Sequence, residues 1–310
     1  MSDLSMLING LNVGAEQGAT FERRNPLDGS VATRAPAASA ADAVKAADAA
    51  AEAFKSWSQT GPGERRALLL KAADALEAKT PQFIAAVGAE TGGTGMWAGF
   101  NVHLAAGMIR EAAALTTQIS GEVIPSDVPG SLAMGVRQPA GVVLGIAPWN
   151  APIILGVRAI ATPLACGNTV IFKGSENCPR THQLIVEAFN EAGFPPGVVN
   201  YITNAPADAG AVVEAVVAHP AVRRVNFTGS TRVGKIIAMT CAKYLKPVVL
   251  ELGGKAPMVI LDDAVIEDAV NGAAFGCFAN SGQICMSTER IVVDQKIADA
   301  FVKQLSLIHI

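Results

Sequence analysis

Short runs of β-branched and apolar residues alternate with helical stretches between residues 142 and 252, and this rhythm limits the fold more than any other feature of the sequence. Strands are predicted at residues 142–147, 169–173, 198–202, 224–227 and 247–252, and helices at 151–166, 181–192, 207–218 and 231–244. This order predicts right-handed crossovers and a parallel sheet covered on both faces. Since ligands of such sheets bind at the carboxyl ends of the strands, we expect the functional residues there.

The chain before this region predicts an arm followed by a helical layer. Residues 1–38 alternate short apolar pieces with turn signals, which favours hairpins. Helical periodicity covers residues 40–57, 64–79 and 100–120, with Ser39 and Thr80 as expected N-caps and Pro81 in a first turn. We expect no chemistry of its own in this layer.

Composition excludes several classes of function. The chain has 310 residues, of which 50% are hydrophobic, so it can bury one large core or two medium ones. A net charge of −3 without a long basic run argues against nucleic-acid binding and against a membrane anchor, and we find no signal peptide. The five cysteines are odd in number and lack metal-ligand spacing, which predicts reduced thiols, no metal and a cytoplasmic location.

Two motifs late in the chain carry the strongest chemical signal. Glu-Leu-Gly-Gly-Lys at 251–255 ends a predicted buried strand, and Gly-Gln-Ile-Cys at 282–285 follows a helix predicted at 264–278, so Cys285 lies 34 residues after Glu251. A thiolate is a strong nucleophile and a carboxylate can act as general base for water, which suits a reaction through a thioester. Taken singly, each motif is also compatible with a small buried cysteine or a plain strand end.

Three other strand ends carry polar groups. The Asn150 amide, in Pro-Trp-Asn at 148–150, can donate to an oxyanion or cap a helix. Phe-Lys-Gly-Ser-Glu at 172–176 offers a cation and a carboxylate to a sugar, or is a solvated surface pair. Phe-Thr-Gly-Ser-Thr at 227–231 opens a helix whose N–H groups can bind an anion.

These five motifs, in this order, resemble those of the NAD(P)-dependent aldehyde dehydrogenases, and the resemblance extends to about residue 304. It implies an α/β, aldehyde-dehydrogenase-like fold with a Rossmann-type parallel sheet, an N-terminal helical layer and an incomplete catalytic domain. Residues 1–252 would hold the arm, the helical layer and the dinucleotide-binding domain. Residues 253–310 would begin the catalytic domain.

The resemblance also implies a role for individual residues. Cys285 would attack the aldehyde, Asn150 and the Cys285 N–H would hold the oxyanion, and Glu251 would activate water once hydride has passed to the nicotinamide. NAD is expected rather than NADP because Glu176 would discourage a 2′-phosphate. The cofactor-binding residues would be Ile146, Ala147, Pro148, Trp149, Lys173, Ser175, Glu176, Phe227, Gly229, Ser230, Val233, Leu252 and Gly253.

Residues 91–102 and Arg158 resemble the salicylaldehyde and vanillin dehydrogenase subgroup, which predicts an aromatic aldehyde as substrate. Trp97 can stack on an aryl ring, and Arg158 can meet a phenolic oxygen. A core tryptophan and a surface arginine are the alternative readings of the two residues.

Two competing functions remain open at this point. One is a cysteine hydrolase that uses Glu251, Lys255 and Cys285, and the other is a non-catalytic fragment that at most binds nucleotide. The family continues well past its catalytic cysteine, and its members are expected to form homodimers or homotetramers. Because residues 305–310 can be encoded by a transposase adaptor sequence, we expect this tail to be adaptor-derived and the chain to be cut short.

Overall fold

The computed structural model describes residues 2–308, which form two compact units. The first contains residues up to 228 together with 232–250, and the second contains residues 229–231 and those from 251 onward. The functional roles that we assigned to residues 1–252 and 253–310 stay predictions. Residues 309 and 310 of the expected adaptor-derived tail lie outside the described residues.

The N-terminal arm consists of short strands. They are β1 (Ser2–Asp3), β2 (Met6–Ile8), β3 (Leu11–Val13), β4 (Thr20–Arg24) and β5 (Val31–Pro36). β5 lies between β1 and β4, whereas β2 and β3 form a hairpin that joins a larger sheet through Leu7, opposite Tyr201. The expected hairpins are thus confirmed.

The helical layer follows, with one correction at its caps. Its helices are α1 (Ala40–Trp57), α2 (Pro62–Ala78), α3 (Thr80–Thr91) and α4 (Gly95–Leu115). Ser39 caps α1 in a capping box with Asp42, as expected. Thr80, however, is not a cap: it lies inside α3, and its hydroxyl donates to the Glu77 carbonyl at 2.6 Å.

Helix α4 starts five residues earlier than predicted. The side chain of Thr94 accepts a hydrogen bond from the Trp97 N–H at 3.2 Å, so this threonine supplies the N-cap. A hairpin of β6 (Glu122–Ile124) and β7 (Ala133–Gly135) comes next.

The main sheet alternates with helices as predicted. Its later elements are β8 (Val142–Ile146), α5 (Pro152–Ala165), β9 (Thr169–Lys173), α6 (Pro179–Glu191), β10 (Val199–Ile202), α7 (Ala209–Ala218), β11 (Val222–Thr228), α8 (Thr231–Lys243) and β12 (Val248–Glu251). The strand order is β12-β11-β8-β9-β10-β2-β3, and β8 to β11 pair in parallel. This confirms the expected α/β fold.

The register of the strands aligns their carboxyl ends at one edge. Ile146 lies opposite both Lys173 and Phe227, and Lys173 lies opposite Ile202. The order of the strands reverses between β8 and β11, because the chain proceeds from β8 to β10 on one side and returns to β11 on the other. Ligands of open parallel sheets bind at such a reversal.

The core of the first unit lies between this sheet and the helical layer. Every residue of β8 and of β9 is buried, and α5 is buried over most of its surface because it packs against α2, α4, α6 and the sheet. Each fully buried large apolar side chain contributes about 1.5–3 kcal/mol. The carboxyl ends of β8 and β9 therefore extend from a tightly packed core.

The second unit is smaller. It contains β13 (Ala256–Ile260), α9 (Ile266–Phe278), a 3₁₀ turn (Ala279–Gly282), β14 (Thr288–Val293) and α10 (Ala298–Leu305). The two strands run in parallel, with Ala256 opposite Thr288. A small core forms around Ile260, Val270, Ala273 and Phe301.

Candidate active site

The loop after β8 is held by a tryptophan from the helical layer. Ile146 and Ala147 are buried, whereas Pro148, Trp149 and Asn150 are half-buried. The indole N–H of Trp97 donates to the Asn150 carbonyl at 2.9 Å, and its ring stacks on Phe100 with 5.6 Å between centroids. The structure thus brings together Trp97, predicted to contact substrate, and Asn150, predicted to hold the oxyanion.

The loop after β9 contains a largely buried ion pair. Lys173 is only 6% exposed, and its Nζ lies 3.3 Å from Oε2 of Glu176. Burial raises the pKa of Glu176, but the charge of Lys173 and hydrogen bonds from its side chain and from the Glu176 backbone outweigh it, so this pKa lies below its usual value. Glu176 therefore presents a carboxylate at neutral pH.

Sequence reasoning missed a buried histidine that contacts the loop after β9. His182 is fully buried in α6, and its Nδ1 accepts a hydrogen bond from the backbone N–H of Ser175 at 3.0 Å. The Sγ of Cys178, four residues earlier in the chain, lies 3.8 Å from Nδ1 and 3.7 Å from Nε2 of the ring. No sequence motif marks this residue, because one partner is a backbone group and the other is a single buried thiol.

The loop after β11 leads into α8. Phe227 and Thr228 are buried, and Gly229 and Val233 are half-buried, whereas Ser230 is exposed. Arg158 of α5 donates from a guanidinium nitrogen to Oγ1 of Thr228 at 2.9 Å. The arginine expected to meet a phenolic oxygen therefore reaches the end of β11.

The second unit holds the Glu251 and Cys285 motifs. Glu251 is exposed, and its carbonyl accepts a hydrogen bond from the Gly229 N–H at 3.0 Å. The segment with Leu252 and Gly253 leads into β13, and the segment with Cys285 leads into β14. Since these strands pair in parallel, both segments enter the same edge of the small sheet.

An unusual turn places Cys285. Asn280, Ser281 and Gly282 have φ of 49°, 56° and 72°, so three successive residues adopt the left-handed region. Residues other than glycine rarely adopt this region, and such positions cluster at functional sites. The Cys285 side chain is exposed. Lys255, the residue before β13, forms an ion pair with Glu289 of β14.

Within residues 2–308, no helix is long and apolar enough to cross a membrane. Over the same residues there is no cluster of three or more histidine, cysteine, aspartate or glutamate side chains that could hold a metal ion. Each of the five cysteines is free.

The chain has close relatives among characterised enzymes. It is 60% identical over 306 residues to a vanillin dehydrogenase of Pseudomonas fluorescens, a match that spans 99% of this chain and 63% of that protein. The crystal structure of a salicylaldehyde dehydrogenase from Pseudomonas putida G7 with salicylaldehyde superimposes with a TM-score of 0.96 at 52% identity. That match covers 98% of this chain and 63% of the other.

A further structural match contains the dinucleotide. PnpE in complex with nicotinamide adenine dinucleotide has a TM-score of 0.93 and 39% identity, and the match covers 97% of this chain and 61% of PnpE. The chain spans about 63% of the length of the vanillin dehydrogenase above. Residues 13–307 match the aldehyde dehydrogenase family, and the chain belongs to this family.

Proposed function

We propose that the protein to which this chain belongs oxidises an aromatic aldehyde to its carboxylic acid with NAD as electron acceptor. The largely buried Lys173–Glu176 pair at the carboxyl edge of the parallel sheet is the observation that carries the proposal. Support for the aromatic substrate comes from the similarity to vanillin and salicylaldehyde dehydrogenases.

The residues at the sheet edge fit a dinucleotide. Aldehyde dehydrogenases use NAD(P), which supplies the hydride acceptor when bound. Glu176 is ionised and partly exposed, so it can accept hydrogen bonds from ribose hydroxyls, and its charge disfavours a 2′-phosphate. The backbone N–H groups at the start of α8, near Gly229 and Ser230, suit a pyrophosphate. NAD is therefore proposed over NADP.

The catalytic roles are proposed residue by residue. The Cys285 thiolate attacks the aldehyde carbon and forms a thiohemiacetal, and later a thioester. The Asn150 side-chain amide donates to the oxyanion of this adduct. Glu251 takes a proton from the water that releases the acid.

Substrate preference is proposed to depend on Trp97 and Arg158. The Trp97 ring is half-buried beside the Asn150 loop, where an aryl group can pack on an aromatic face. Arg158 supplies a permanent cation for a phenolic oxygen. A cytoplasmic location and a homodimeric or homotetrameric assembly stay predictions.

The experiment compares the 310-residue chain with the product of the gene read from its source DNA. NADH absorbance is followed with vanillin, salicylaldehyde, benzaldehyde and acetaldehyde, and NADP replaces NAD in a second series. Cys285→Ala should abolish turnover, whereas Cys277→Ala, which changes a half-buried thiol in α9, should retain it. Aryl aldehydes should have the higher kcat/KM.

Three outcomes would redirect the proposal. If the gene product reduces no NAD with any aldehyde, the roles proposed for Cys285 and Glu251 are wrong. A cysteine hydrolase that also uses Lys255 then becomes the favoured function. Nucleotide binding by the chain without thiol-dependent turnover in either protein would select the non-catalytic reading. Equal rates with acetaldehyde and vanillin would refute the aromatic preference.

A further inference from the structure

We propose that Arg23, in the N-terminal arm, is a positioning residue that holds the loop after β9, and with it Glu176, in place for the adenosine ribose of the dinucleotide. This proposal rests on the proposed function, in which Glu176 accepts hydrogen bonds from that ribose. Arg23 belongs to β4 and is half-buried. Its Nη1 donates to Oδ1 of Asn177, the residue directly after Glu176, at 3.2 Å. Its Nε donates to the backbone carbonyl of Glu90 at 2.7 Å.

The anchor of this arginine is itself fixed from several sides. Glu90 lies in the last turn of α3, where backbone carbonyls have no partner within the helix and a cation is favourable. Its fully buried side chain accepts a hydrogen bond from the hydroxyl of Thr33 in β5 at 2.9 Å. It also accepts hydrogen bonds from the backbone N–H groups of Arg180 and Thr181, at 2.7 and 2.9 Å. These two residues lie in the first turn of α6, so Arg23 and the helix that follows the loop share one anchor.

The loop itself is held on both sides of Glu176. On one side, the Ser175 N–H donates to Nδ1 of His182 at 3.0 Å. On the other side, the Asn177 N–H donates to the Ser175 hydroxyl at 3.2 Å, and the Asn177 side chain accepts from Arg23. Because the guanidinium is planar and its donors are fixed relative to one another, its bond to α3 sets the direction of its bond to the loop. Removing Arg23 therefore frees the segment directly after Glu176.

The position of Glu176 affects the two dinucleotides differently. Its carboxylate can accept a hydrogen bond from the 2′-hydroxyl of NADH, whereas it repels the 2′-phosphate of NADPH. A displaced carboxylate should therefore weaken NADH binding and leave NADPH binding unchanged or stronger. A general loss of stability would instead weaken both alike. The ratio of the NADPH and NADH dissociation constants thus reports where this carboxylate lies.

The experiment measures both dissociation constants by isothermal titration calorimetry on the product of the gene read from its source DNA. Arg23→Met removes both donors. Asn177→Ala removes the acceptor in the loop and leaves the arginine and its anchor intact. Arg24→Met is the matched control, because the neighbouring Arg24 side chain is 62% exposed and pairs with Glu22 on the exposed face of β4.

Arg23→Met and Asn177→Ala should each lower the ratio of the NADPH to the NADH dissociation constant about fivefold, the effect of one hydrogen bond. The double variant should lower it no further than either single variant, since both remove the same bond. Arg24→Met should leave the ratio within about twofold. If Arg23→Met does not fold, the ratio in Asn177→Ala decides alone.

An unchanged ratio in Asn177→Ala, or additive losses in the double variant, would overturn the proposal. Equal weakening of NADH and NADPH binding in Arg23→Met would also overturn it, because that is the result of a purely structural role. An unsubstituted protein that prefers NADH, responds to these substitutions as expected and oxidises no aldehyde would refute only the proposed function. No preference for NADH in the unsubstituted protein would overturn both.

Discussion

Gly174→Ala tests whether the loop after β9 needs a residue without a side chain. A Cβ at position 174 would lie 2.7 Å from both Cε2 and the hydroxyl of Tyr201 and 3.1 Å from Cζ. Tyr201 is fully buried, and its hydroxyl donates to the Pro179 carbonyl at 2.7 Å. The ring can yield only if this hydrogen bond is lost or the loop moves.

The cost follows from two contributions. Extra volume in a packed core costs about 1–3 kcal/mol. Leaving the buried hydroxyl of Tyr201 without a partner costs about 1–3 kcal/mol more. Gly174→Ala should therefore lower the free energy of unfolding by about 2–6 kcal/mol. It should also weaken NADH binding, because Lys173 and Glu176 flank the displaced residue.

Urea denaturation measures the stability change, and quenching of tryptophan fluorescence by NADH measures binding. With an m-value of about 2–3 kcal/mol/M, the denaturation midpoint should fall by roughly 1–3 M. Gly107→Ala is the control: Gly107 lies within α4 with open space around it, so this change should stabilise by up to about 1 kcal/mol.

A double-mutant cycle with Tyr201→Leu identifies the clashing partner. Leucine lacks the ring atoms that the new Cβ would meet, so Gly174→Ala should cost less than about 1 kcal/mol in that background. If Gly174→Ala alone costs less than 1 kcal/mol, or costs the same in both backgrounds, the steric argument fails.

Three further substitutions test other contacts. Lys173→Met removes the charge that lowers the pKa of Glu176. In the unsubstituted protein, the stability that this carboxylate contributes is present above its ordinary pKa and is lost as the pH falls below it. The variant lacks this contribution, so its free energy of unfolding should fall less steeply below about pH 4.5 in an acid-unfolding experiment. An unchanged acid transition would contradict this. Trp97→Phe removes the bond to the Asn150 carbonyl but keeps an aromatic ring, so kcat should fall about fivefold with little change in aryl-aldehyde KM; a change confined to KM would argue against it. Glu90→Ala leaves two backbone N–H groups at the start of α6 without their acceptor. The free energy of unfolding, measured by urea denaturation, should fall by about 2–6 kcal/mol. A loss under about 1 kcal/mol would refute the role of this buried carboxylate.

The sequence predicted the main sheet well because its signals are local. Buried parallel strands read as continuous apolar runs, and both β8 and β9 are buried at every position. The strand ends, and with them Asn150 and Glu176, could therefore be located. The aldehyde dehydrogenase fold expected from the five motifs is confirmed by the structural match at a TM-score of 0.96.

The features that were missed depend on contacts between distant segments. Glu90 receives hydrogen bonds from Thr33 and Thr181, which lie 57 and 91 residues away in the chain. His182 accepts a hydrogen bond from the backbone N–H of Ser175, and backbone groups leave no mark in composition or periodicity. Neither residue could be distinguished from a surface glutamate or an ordinary helical histidine before the fold was known.

The place of β2 in the sheet has a consequence for synthesis on the ribosome. β2 pairs with β10, and the Asn9 N–H donates to Oδ1 of Asn200, 191 residues later in the chain. At a translation rate of about 5–20 residues per second, the nascent β2 waits roughly 10–40 s for this partner. Met6, which is fully buried in the finished protein, is accessible to chaperones and proteases during that interval.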